Sequence, residues 1–448
     1  MILTKRPKLL RRIRIWVITL LAMFALSASV VILLFYINKG PENSSTYKGP
    51  RKVSIEKKNG RYSFYKNGKP FLVKGGSGLE YVKELAESGG NTIMCWDTSK
   101  LEHVFKEAAL YNVSVIIGLD LPGSLTGFYN NKKDVEGFYN AYIAIVNRYK
   151  DNPCLLAWCL GNEMTLPTSL TPGPFYKTYN RILDSIHNVD PNHPVSTSVL
   201  NITIGEILTL RWRMPALDFY SMNIYNSVKT MKHNLERTKW LWDGPYLVGE
   251  WAPEGGWEAP MTAWQAPIEN SSTTKAQLFY EFFTKYMPLK DLRFLGSLVF
   301  YWGHRQEYTQ SWFSTFSKNG NPNEIKETLN DCWKDTSTQH LSPKIKFMLI
   351  DSLGGKNNII VSTGSKHDAL LEMQSSKQLD TLQYKWEIHK ENWFYGDSPA
   401  EVGLFADSTL PVTGFRAPQK EGPYRVFITV YNSKGYFATA NIPIYVVR

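Results

Sequence analysis

Two glutamates stand where a buried strand has no reason to end on a charge. Residues 155–163, LLAWCLGNE, run as apolar sequence and stop abruptly on Asn162 and Glu163. Residues 245–251, PYLVGEW, place Glu250 directly after a second apolar run. Ionised groups are rarely buried unless something pairs with them. Two carboxyls facing one another across a cleft are the minimal apparatus for breaking a glycosidic bond: one gives a proton to the leaving oxygen, the other attacks or stabilises the anomeric carbon. Either glutamate alone is unspecific, because glutamate at a helix N-terminus or in a surface loop is commonplace. The pair carries the signal.

The elements that must position them follow from the pattern around them. From residue 51 the stretch RKVSIEKKNGRYSFYKNGKP reads as a hairpin, with Asn-Gly turns at 59–60 and 67–68. Eight short apolar runs come next, at 71–75, 91–96, 113–121, 155–163, 194–200, 218–225, 245–251 and 296–303. Amphipathic stretches such as 101–111, 135–150 and 275–287 lie between them. Near-continuous apolar strands suit a parallel sheet buried on both faces. Eight such units predict an α/β fold, a (β/α)8 TIM barrel over 51–334, closed by a helix at 323–334. A doubly wound open sheet is the rival, but no G-x-G-x-x-G follows the first strand. The two glutamates are 87 residues apart, three units of normal length. Strands four and seven lie on opposite sides of an eight-stranded barrel, so both carboxyls are expected at its mouth, facing each other. Trp96 and Asp97 after strand two, and Asp120 after strand three, are mouth residues by position. A cap or a core role is the bland alternative for each.

The ends of the chain differ from this middle. The net charge is +11, but six positive charges and no acid fall in residues 1–14, a basic tail. The other 434 residues carry only +5 with both signs interspersed, which excludes a nucleic-acid partner. Residues 15–37 hold 23 residues without a charge, enough to cross a bilayer as a helix. An uncleaved transmembrane anchor is expected, with a cleaved signal peptide as the alternative. The positive-inside rule leaves the N-terminus cytoplasmic and the rest periplasmic or extracellular, with 38–50 as a linker and the lipid bilayer as a partner through 15–37. Four scattered cysteines, Cys95, Cys154, Cys159 and Cys332, read as free thiols rather than a disulfide framework. Sequons at Asn43, Asn112, Asn201 and Asn270 matter only in a host that glycosylates. Residues 335–345 are a polar linker, and 346–448 read as strands alone, a small all-β sandwich. Its segments YKWEIHKE, FRAP and GPYRVFITVYN resemble polycystic-kidney-disease-type and other immunoglobulin-like modules, for which a spacer role is expected.

WCLGNE and LVGEW resemble the fourth- and seventh-strand motifs of the clan of retaining (β/α)8 glycoside hydrolases, which includes family 2 and family 5. NGKPFLVKGGSG and SGGNTIMCWD are similar to the first two strands of family 2 catalytic domains, and RYKDNPCLLAWCLGNE to their approach to the acid/base. FYSMNIY and VFYWG are similar to the sixth and eighth strands. The resemblance covers about 53–334. It implies Glu163 as acid/base, Glu250 as nucleophile, Asn162 bound to the sugar 2-hydroxyl, Tyr225 holding Glu250 ionised and Trp302 as the platform under the sugar. It also implies a polysaccharide or oligosaccharide substrate on a surface or exported; no cofactor is expected, and no metal, because the eight histidines include no pair at ligand spacing. In the following loop, Trp251, Trp257 and Trp264 are expected either to stack on sugars or to pack the rim. One departure stands out: Met94 occupies the place where the clan has an arginine, and Arg305, just after strand eight, is the candidate replacement by position. A transglycosylase and a non-catalytic glycan-binding barrel are the alternatives, the latter favoured by Met94 alone.

Overall fold

The computed structural model describes residues 6–37, 51–168, 173–200, 202–374, 381–392 and 398–448. The linker 38–50 and the sequons at Asn43 and Asn201 lie outside them. Helix α1 (Arg6–Ile37) starts well before the expected anchor, because lysine and arginine are good helix formers and charge does not end a helix. Its segment Arg11–Ile32 is long and apolar enough to cross a membrane, and none of it is buried in the protein.

Strands β1 (Val53–Lys58), β2 (Arg61–Lys66) and β3 (Lys69–Phe71) form the expected antiparallel sheet. Both Asn-Gly pairs, 59–60 and 67–68, have positive φ throughout, as two-residue hairpin turns require. Eight strands follow: β4 (Val73–Ser77), β5 (Thr92–Cys95), β6 (Ser114–Leu119), β7 (Leu155–Leu160), β8 (Val195–Val199), β9 (Phe219–Ile224), β10 (Tyr246–Trp251) and β11 (Phe294–Val299). They close in sequence order into a parallel barrel, with β11 pairing β4. Gly75 is needed there: a Cβ on it would lie 1.7 Å from the Thr92 carbonyl oxygen of the next strand. The hairpin plugs the N-terminal end of the barrel. Val53 and Phe64 pack with Val73, Ile116, Phe219 and Leu295, and the rings of Phe64 and Phe219 meet edge to face at 5.4 Å. The C-terminal ends of the strands are left as the mouth.

Beyond the helix Glu324–Lys334 the polar stretch 335–345 is pinned to the barrel, its Leu341 and Ser342 amides donating to the buried Glu327. Then come β12 (Ile345–Ile350), β13 (Ile359–Ser362), β14 (Lys366–Met373), β15 (Leu382–Lys390), β16 (Val412–Arg416), β17 (Gly422–Asn432) and β18 (Phe437–Val447). Three strands, β12-β14-β16, face four, β13-β18-β17-β15, over one core that includes Trp386, Ile388, Val426 and Ile442. The sequence pattern shows four of these strands. It misses β12, β13 and β16, which are short and flanked by polar turns.

The all-β unit is bolted to the barrel. Arg425 on β17, fully buried, bonds Glu391, the Asn441 amide oxygen and the Pro267 carbonyl of the barrel loop, at 2.7–2.8 Å. Asn441 in turn donates to the buried Glu269 at 2.6 Å, which also binds Lys275 at 2.7 Å. Glu269 stays below the ordinary carboxylate range, since burial raises it but Lys275, Thr309 and Arg425 together outweigh that.

Candidate active site

Glu163 leaves β7 through a strained turn. Gly161 has φ +84° and Glu163 itself φ +49°, a left-handed backbone that a residue with a Cβ adopts at a cost of about 1 kcal/mol. Neighbouring strands hold the turn in place. The Gly161 amide donates to Leu119 on β6, and the Glu163 amide donates to Ser198 on β8 at 3.0 Å. Glu250 reaches the mouth differently, through an irregularity in β10. The register against β9 shifts between Val248 and Glu250, and Gly249 sits so close that a Cβ would lie 2.0 Å from the Ser221 hydroxyl. Such a shift re-aims a side chain. It sets Glu250 beside Asn223 of β9.

Both carboxyls open into one cleft of about 490 Å³, with Asp120, Asn162, Tyr225, Trp96 and Arg305 also on its walls. Their surroundings differ. Glu250 is buried and accepts hydrogen bonds from the Tyr225 hydroxyl and the Trp96 indole N–H, both at 3.3 Å. Glu163 is half-buried and accepts one from the Asn223 amide at 2.7 Å. The same amide group donates to the Asn162 side-chain oxygen at 3.1 Å, and Asn223 accepts in turn from the Ser198 hydroxyl at 2.7 Å. Burial pushes Glu250 up to about 8 and the charge of Glu163 adds to this, while Arg305, Tyr225 and Trp96 act the other way. Burial also raises Glu163, against the Asn223 bond and with help from Glu307 and Asp120. Two coupled carboxyls in such a place hold one proton between them near neutrality. The anion-stabilising groups, two donors and a guanidinium, are gathered on Glu250 and oppose its burial, while Glu163 has the Asn223 amide alone.

Known proteins resemble parts of the chain. No protein-family model matches the chain. Over 184 residues it is 27% identical to the probable mannan endo-1,4-beta-mannosidase F of Aspergillus flavus, a match covering 36% of this chain and 39% of that protein. The mannan endo-1,4-beta-mannosidase F of Aspergillus clavatus is 26% identical over the same length, covering 36% and 42%. The chain thus spans about two fifths of the length of these curated relatives. A GH2 beta-galacturonidase from Eisenbergiella tayi superposes with a TM-score of 0.50 at 14% identity, covering 65% of this chain and 55% of that one. The shared fold is the (β/α)8 barrel.

Within this barrel, Glu163, Glu250, Asn162, Tyr225, Trp96 and Asp120 line one cleft. Two of the expected sugar contacts do not. Trp302 is fully buried: its indole N–H donates to the Tyr81 carbonyl at 3.0 Å and its ring packs on Phe316 and Trp333. Phe300 and Tyr301 form that wall of the cleft instead. Trp251 is buried against Phe279 and Phe283, on the helix side of the barrel. The reason is strand alternation: with Glu250 pointing into the mouth, the next residue points out. Of the three loop tryptophans, Trp257 reaches the cleft, 49% exposed with its ring edge-on to Tyr225 at 4.8 Å, whereas Trp264 packs on Tyr445 of the all-β unit.

Met94 does line the cleft, and Arg305 enters it from the loop after β11, paired with Glu307 at 2.6 Å and lying over the rings of Phe300 and Tyr301. From that loop the Arg305 charge acts on Glu250. Asn223 is the functional residue that the pattern misses. It sits in FYSMNIY two positions before Tyr225, so a period of two places both on the inner face, a signal that was available.

Proposed function

We propose that the chain is a membrane-anchored retaining β-glycosidase that hydrolyses a surface or exported polysaccharide. The observation that carries this reading is the pair of carboxyls in one cleft with opposite surroundings, one ringed by donors and a cation and the other able to keep the proton. In the first step an oxygen of Glu250 bonds to the anomeric carbon as the bond to the leaving oxygen breaks, and Glu163 passes its proton to that oxygen. Asn162, whose side-chain oxygen is engaged by Asn223, offers its N–H groups to the sugar 2-hydroxyl. In the second step Glu163, now ionised, takes a proton from water, which attacks the anomeric carbon and frees Glu250. Two inversions give net retention. Arg305, Tyr225 and Trp96 favour the ionised Glu250 that the attack needs.

Helix α1 serves as the anchor, its basic end in the cytoplasm and the barrel outside. Because the relatives named above act on mannan, β-mannosides are the first substrates to assay. An activated 2-fluoro-glycoside should label Glu250 covalently, as read by peptide mass spectrometry. Glu250→Ala should abolish turnover, and azide should restore it with a product of inverted configuration. A binding protein of the same fold forms no adduct. The half-exposed Trp257 at the cleft favours a second reading, transfer of the glycosyl unit to an acceptor sugar, which product analysis at high oligosaccharide concentration separates from hydrolysis.

A further inference from the structure

The positive charge of the folded part is concentrated at one end of the barrel. Residues 51–69, the plugging hairpin, hold seven lysines and arginines against Glu56 alone. Residues 70–448 are net negative by two charges, although that segment is some twenty times longer. The hairpin lies at the N-terminal face, opposite the mouth. Its Tyr62 amide donates to Leu292 at 2.7 Å, and Arg61 reaches the Asp291 carbonyl at 3.5 Å, both in the loop before β11. Lys57 pairs with Asp243 at 3.7 Å, in the loop before β10. These two loops carry exposed apolar residues beside the basic ones: Trp240 at 67% exposure, Leu292 at 49% and Leu289 at 42%. Lys58, Arg61 and Lys290 lie among or beside them. The local acids are already matched, Glu56 to Lys58, Asp243 to Lys57 and Asp291 to Arg293.

We infer that this face docks on an anionic lipid surface. The inference rests on the anchored reading of α1 given above. The hairpin is the first element after the helix, and only residues 38–50 intervene, a segment that spans at most about 45 Å when fully extended. The basic end of the barrel is therefore held within reach of the bilayer at high effective concentration. Tryptophan flanked by lysine and arginine is what a membrane–water interface takes up, each basic residue contributing where the facing leaflet carries anionic lipid. Docking by this face aims the cleft away from the bilayer, toward polymer outside the cell. It also limits how far from the surface the enzyme works.

The test uses the full chain in lipid nanodiscs, with hydrogen–deuterium exchange read by mass spectrometry. Nanodiscs of phosphatidylglycerol and phosphatidylcholine in equal parts should slow exchange at residues 57–62, 239–243 and 289–292 relative to phosphatidylcholine alone, and high salt should remove the difference. Lys58→Glu with Arg61→Glu should weaken the protection about fivefold or more per lost positive charge, as about 1 kcal/mol each predicts. Trp240→Ser should weaken it as well. None of these variants touches the cleft, so turnover of a soluble aryl glycoside should not change. An inserted chain with no lipid-dependent protection there overturns the docking and leaves the anchor standing. Protection that ignores lipid charge and salt also overturns it, pointing to a second copy of the chain instead. A chain that carbonate washes off the membrane overturns both.

Discussion

Replacing Glu163 by glutamine tests whether the two carboxyls titrate as a pair. In the native protein the upper step of the pair falls at about 8 for the buried Glu250, raised by burial and by the charge of Glu163. At the carboxyl separation that direct attack requires, about 5–5.5 Å, two unit charges at an effective dielectric constant of about 20 repel by roughly 3 kcal/mol. That is about two pH units. Glutamine keeps the acceptor for Asn223 and removes the charge. Glu250 should then titrate alone, about two units lower, near 6. The assay is kcat/KM against pH with a dinitrophenyl glycoside, whose leaving group needs no proton. On an aryl glycoside with a poor leaving group, which does need the proton, the native enzyme should give a bell whose alkaline limb marks the loss of the shared proton near 8. The variant should lose that limb, keep most of its rate on the activated substrate and lose several orders of magnitude on natural glycans. An alkaline limb that stays in Glu163→Gln would refute the coupling, and with it the assignment of the proton.

Glu250→Gln should raise stability at alkaline pH. The folded-state value of about 8 lies above the ordinary 4.5, so its proton-bound form favours the fold below 4.5, and this contribution is lost as pH rises to about 8. Melting of the variant should therefore exceed the native protein by a few kcal/mol at pH 8, at about 1.4 kcal/mol per unit, and converge with it near pH 4.5; equal melting at both would contradict the burial argument. Trp257→Ala should raise KM for oligosaccharides about fivefold, the loss of roughly 1 kcal/mol of ring contact, with small aryl glycosides little affected. Equal losses on both would place Trp257 in support of Tyr225 rather than on the sugar. Arg425→Met leaves Glu391 buried without its partner and should cost about 3–5 kcal/mol in calorimetry or denaturant unfolding. A change below about 1 kcal/mol would mean that the all-β unit does not depend on this pair.

Much of the molecule follows from local pattern. Apolar runs of barrel length separated by amphipathic stretches specify a parallel sheet covered on both faces, and their number, eight, favours closure over an open doubly wound sheet. The Asn-Gly pairs specify the hairpin turns, since both need positive φ. LGNE and VGEW locate the carboxyls, because charge at the end of a buried strand must face the mouth. Side-chain direction one residue past such a point is another matter. Trp251 and Trp302 look alike in sequence to a sugar platform, yet strand alternation turns the first outward and packing on Phe316 and Trp333 takes the second. Arg305, in the loop after β11, lines the same cleft as Met94, a meeting that no local pattern predicts. The embrace of the all-β unit depends on Arg425, Asn441 and Glu269, which lie up to 172 residues apart and share no local motif. Periodicity reports which face of its own element a residue occupies. Which distant element meets that face, and so the charge and contacts a carboxyl finally feels, is decided by tertiary packing.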